Sequence, residues 1–103
     1  MDEQARWRPR PPGFGQQRHI CRFQATREDF AEMSDVSGRG VFVTTPQRPP
    51  LGSRVRIRHM RAGTIEGAVS AYAADGISVK FNQGARATAF ALAVIASGMA
   101  AAS

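Results

Sequence analysis

The sequence predicts an all-β fold with a terminal helix: a small six-stranded antiparallel β-barrel, a flexible Arg-rich N-terminal arm and a C-terminal α-helix. Three observations carry this. Short segments alternate apolar and polar residues at period two, as half-buried strands do. Gly, Pro and Asp turns separate those segments at close intervals. The chain end from residue 85 is Ala-rich and carries no charge after Arg86. With 103 residues, 43% of them apolar and 21% charged, the chain has material for one core and no second domain.

Residues 1–17 place Pro9, Pro11, Pro12, Gly13 and Gly15 among Arg and Gln. They offer no periodic apolar face, which predicts a mobile arm. From His19 the pattern changes, and Ile20, Cys21, Phe23 and Ala25 predict a first strand. Phe30 to Ser34 predicts a second, with Thr26-Arg27-Glu28-Asp29 as the hairpin turn. Residues 35–40 turn into Gly40-Val41-Phe42-Val43-Thr44-Thr45, β-branched and aromatic as strands prefer, and Pro46 ends it. Beyond the turn Pro49-Pro50-Leu51-Gly52, Arg54-Val55-Arg56-Ile57-Arg58 alternates charge with branched apolar residues, predicting one core face and one row of guanidiniums. Residues 64–71 and 77–81 complete the set, with Ile77, Val79 and Phe81 on one face. So short a sheet hides its edges by closing. Gln83-Gly84 breaks the strand pattern, and Phe90, Val94 with Leu92, Ile95 and Met99 recur at helical spacing. The expected division is an arm over 1–17, a barrel over 18–83 and a helix over 84–103 packed on the barrel.

Charge narrows the classes of partner. The net charge is +6, and every basic residue except Lys80 is Arg. All the arginines but Arg86 precede residue 62. A guanidinium fork pairs two bonds at a time with phosphate, carboxylate or the guanine edge, so the composition points to a polyanionic partner. Cys21 is the sole cysteine, which excludes an intrachain disulfide and fits a reducing compartment. The N-terminus lacks the apolar stretch of a secretory signal, and the Ala87–Ala102 run is short of the ~20 residues of a membrane span. A cytoplasmic location without a membrane span is expected. His19 and His59 belong to no cluster at metal-ligand spacing, and no nucleophile or carboxylate pair has a supporting motif. No metal, no cofactor and no enzymatic activity are expected.

Two motifs carry chemistry. In Asp35-Val36-Ser37-Gly38-Arg39-Gly40, Asp and Ser are expected to bond the backbone two or three residues on, and Gly38 and Gly40 permit left-handed conformations. The arm holds Arg6-Trp7-Arg8-Pro9-Arg10, an Arg-x-x-x-Arg, and Arg18-His19-Ile20-Cys21-Arg22 repeats that spacing. These patterns ahead of Asp-x-Ser-x-x-Gly on a six-stranded barrel resemble the PilZ domain, the bacterial family that binds cyclic di-GMP. Gly40-Val41-Phe42-Val43, Pro50 to Val55, Gly67-Ala68-Val69 and Gly76 to Phe81 also look like PilZ strands in order, so the resemblance spans nearly the whole chain.

The resemblance implies a receptor or adaptor that couples binding of the second messenger cyclic di-GMP to a conformational change and to signalling through a protein partner, as monomer or homodimer. It puts the arginines on the arm before the first strand. The interval from Arg10 to Asp35 accommodates two strands of about 6 residues, their turn and a lead-in, whereas Arg22 falls inside the first strand. The expected ligand residues are therefore Arg6, Arg10, Asp35, Ser37 and Gly40, with Arg8 as a further contact. The chain departs from the family where Ala5 precedes Arg6 and where Ala71, beside Tyr72, stands for an aromatic; Trp7 is a stacking candidate. The alternative is a PilZ-like interaction module that does not bind cyclic di-GMP and works through the Arg face or the apolar helix. A barrel binding nucleic acid is opposed by the few aromatics expected on exposed strand faces.

Overall fold

Alternation decides which side of each strand is buried. In the computed structural model, which describes residues 18–102 with side chains through residue 98, the strands are β1 (His19–Gln24), β2 (Glu28–Ser34), β3 (Gly40–Thr44), β4 (Arg54–His59), β5 (Gly63–Ala73) and β6 (Gly76–Phe81). A helix, α1 (Ala85–Ala102), follows. On β1, Cys21 and Phe23 point inward and Ile20, Arg22 and Gln24 outward; on β4, Val55 and Ile57 point inward and the three arginines outward. The strands close in the order β1-β2-β3-β6-β5-β4, every pair antiparallel. Closure occurs where Arg22, Phe23 and Gln24 of β1 face Arg58, Ile57 and Arg56 of β4.

Phe23, Met33, Val43, Ile57 and Ile77 are completely buried inside the barrel. Each contributes on the order of 1.5–3 kcal/mol in transfer free energy. One barrel end is covered by α1, whose Ala87, Phe90, Ala91 and Val94 form the buried stripe. The Phe90 ring meets Phe81 edge-on at 5.8 Å between centroids. Leu92 is 63% exposed, so the apolar surface of the helix extends beyond the single stripe that the barrel end covers.

Three local features go beyond the sequence reading. β2 begins at Glu28 rather than Phe30: Gln24 pairs with Glu28, and the Ala25 N–H donates to the Arg27 carbonyl at 3.1 Å, so the hairpin turn is tighter. In β5 the register against β6 shifts between Val69 and Ala71, a bulge that sets Ser70 and Tyr72 on exposed faces. The loop after β3 is pinned by Arg48, whose guanidinium donates to the carbonyls of Thr45 (2.7 Å), Gln47 (2.9 Å), Ala73 (3.1 Å) and Ala74 (3.0 Å). Among the described residues, no helix is long and apolar enough to cross a membrane.

Candidate functional site

The β2–β3 turn takes its shape from Asp35 and Ser37. Asp35 has φ 54°, a left-handed conformation that Asp tolerates better than most side chains. The Ser37 N–H donates to the Gly40 carbonyl at 3.0 Å, and the Ser37 hydroxyl accepts from the Arg39 N–H at 3.1 Å and donates to the Gly40 carbonyl at 3.5 Å. The expected bonds from Ser37 to positions two and three further on are therefore present. The Arg39 carbonyl accepts from the Phe81 N–H at 2.8 Å and ties the turn to the end of β6.

The glycines do not use the left-handed freedom they permit. Neither Gly38 nor Gly40 has positive φ; the strained position is Asp35. A Cβ on Gly40 would stand 2.2 Å from the Val79 carbonyl oxygen, so glycine is required by the close approach of β3 to β6. Gly76, with 2.1 Å from its virtual Cβ to the Val43 oxygen, does the same at the other end of that seam.

Around the turn lie two shallow clefts that share Ser37 and Arg39. One, of about 320 Å³, runs over the outer face of β3, β6 and β5, where Phe42, Ser70, Ser78, Asp35 and Lys80 line it. The other, of about 570 Å³, separates the turn from the start of α1 at Gln83, Gly84 and Thr88. The first cleft combines two cations, a carboxylate, three hydroxyls and a ring face, groups suited to phosphate oxygens, a guanine edge and base stacking. Lys80, Arg39, Phe42, Ser70 and Ser78 are the cleft residues that motif reading missed. The alternation of β6 signalled Ser78 and Lys80 as outward, but only the Gly40↔Lys80 pairing brings the lone lysine to the turn.

Of the expected ligand residues, Asp35, Ser37 and Gly40 stand together on this turn, whereas Arg6, Arg8, Arg10 and Trp7 lie outside the described residues. Arg18 and Arg22 face outward beside carboxylates, Arg18 at 3.6 Å from Glu32 and Arg22 at 3.6 Å from Glu28. Tyr72 is committed elsewhere, donating to the Pro49 carbonyl at 2.7 Å. Few aromatics are exposed on the strands: Phe30 on β2 is 72% accessible and Tyr72 on β5 47%.

The same barrel end buries two imidazoles. His19 and His59 meet edge-on at 6.0 Å, 8% and 5% exposed. Burial holds both below the ordinary pKa of 6.5, and for His59 the neighbouring His19 and Arg61 add to the effect. His59 Nδ1 accepts from the backbone N–H groups of Arg61 and Ala62, both at 3.1 Å, which requires it unprotonated. Cys21 is buried and its thiol is pushed up to about 12, an inert core group. Among the described residues no group of three or more His, Cys, Asp or Glu is placed to hold a metal. Comparison of the chain with family models, with curated proteins and with solved structures finds no match.

Proposed function

We propose that the chain is a PilZ-like, non-enzymatic receptor or adaptor domain for cyclic di-GMP. In this reading Arg6, Arg8 and Arg10 close over a ligand held at the Asp35–Gly40 turn, and the ordering of the arm signals to a protein partner. The observation that carries it is where the chain joins the barrel. β1 starts at His19, which pairs with Met33 immediately ahead of the turn, so the arm is tethered at the end where Asp35 stands. Extended chain from Arg10 to His19 reaches at most roughly 30 Å, ample for the neighbouring turn. Lys80 and Arg39 add positive charge to the cleft at that end. A ligand of the cytoplasm also fits a chain whose sole cysteine is a buried free thiol.

Titration calorimetry with cyclic di-GMP tests this, and absence of heat at high micromolar ligand would sink it. Arg10→Ala is expected to weaken binding by at least ~1.5 kcal/mol, as for loss of a charge-assisted contact. Arg22→Ala, on the strand face, is expected to leave it unchanged. A second reading, an interaction module indifferent to cyclic di-GMP, is favoured by Ser37, whose hydroxyl is already occupied within the turn. The same titration separates the two.

A further inference from the structure

We propose that the outer face of β1 and β4 docks an acidic, partly apolar strip of a partner protein. This surface is distinct from the turn and does not depend on what binds there. Across the seam that closes the barrel, Arg22 and Arg58 are direct cross-strand partners. Like charges so placed, with Cβ atoms about 4.5–5.5 Å apart, repel. The same row continues to Phe30, the β2 partner of Arg22, and the Arg22 guanidinium lies 5.1 Å from the centre of that ring. The stacking holds the fork of Arg22 over an exposed aromatic.

The local carboxylates leave this face undercompensated. Glu66 serves both Arg56, at 3.1 Å, and Arg54, at 3.7 Å, and Glu28 lies 3.6 Å from Arg22. Among the described residues none forms an ion pair with Arg58. Large apolar groups are exposed on the same two elements: Ile20, outward on β1 two residues before Arg22, is 62% exposed, and Met60, just past the end of β4, is 91% exposed. Arg with aromatic and Met side chains, and no Lys, is the composition of protein interfaces. The interleaved Glu28 and Glu66 disfavour a continuous phosphate track. A polypeptide can direct carboxylates to Arg22 and Arg58 and apolar groups to Ile20, Phe30 and Met60.

The test uses the full-length chain and a fluorescein-labelled peptide alternating Glu with Leu and Phe, with oligothymidylate of equal charge as competitor, at about 0.15 M salt. The peptide is expected to shift the amide resonances of Ile20, Arg22, Phe30 and Arg58. The double variant Arg22→Ala, Arg58→Ala should bind it at least about tenfold more weakly, with an unchanged thermal midpoint. Arg22→Lys with Arg58→Lys keeps the charge and should still lose several-fold, because the fork is lost. Binding of the oligothymidylate as tight as that of the peptide would assign the face to nucleic acid instead. Shifts confined to other surfaces, equal affinity in the alanine variant, or no peptide binding would overturn the proposal.

Discussion

Two seams of the barrel are built on different principles. At β3–β6 the backbones come so close that Gly40 and Gly76 have no room for a Cβ, and the turn that leads into this seam is fixed by main-chain bonds together with the Ser37 hydroxyl. At β1–β4 the seam is defined by side chains: Phe23 and Ile57 inside, Arg22 and Arg58 outside, and the His19–His59 pair at one end. The difference teaches that one seam specifies residue size absolutely, whereas the other tolerates many outward side chains and can evolve a surface.

The largest expected effect breaks the first seam. Gly40→Ala drives a methyl into the Val79 carbonyl and should destabilise by about 3 kcal/mol, the upper part of the range for overpacking, since a backbone atom must move. Urea unfolding checks it; a loss below about 1 kcal/mol would mean the strands separate easily there.

The next effect separates the seams by pH. Burial depresses both imidazoles in the folded state, so below the ordinary value of 6.5 the unfolded chain binds more protons. This contribution to stability is fully present above about 6.5 and is lost as pH falls from there toward the lowered folded values. Thermal midpoints followed by circular dichroism should drop across that window, and His59→Gln should flatten the profile. An unchanged wild-type midpoint would show that the His59 bonds to Arg61 and Ala62 are dispensable. The smallest effect belongs to the outer face. Arg58→Ala, which removes a like charge opposite Arg22, should change stability by no more than about 0.5 kcal/mol. A larger loss in denaturant titration would make this face structural and erase the contrast.

Much of the barrel was legible along the chain. Arg54 to Arg58 alternates so regularly that its buried and exposed faces follow from the sequence alone, and Ile77, Val79 and Phe81 are buried as the alternation predicts. The turn was legible through Ser37, whose bonds are local. The start of β2 was not, because Glu28 and Asp29 look like turn residues and are recruited by pairing with β1. The cover over Leu92 was not legible either: helical spacing shows that a face is apolar, not how much of it the barrel end can cover. The cleft was only partly legible, since Lys80 reaches it through the pairing of β3 with β6.

What the sequence by itself determined is the set of strands, the terminal helix and the faces that alternate, because period and turn chemistry act between near neighbours. Tertiary structure decided the strand order, the Arg22–Arg58 juxtaposition, the burial of His19 against His59 and the reason for Gly40. Each of these depends on which distant backbone comes alongside. Such contacts are set by closing the barrel around a filled core, and no local pattern encodes them.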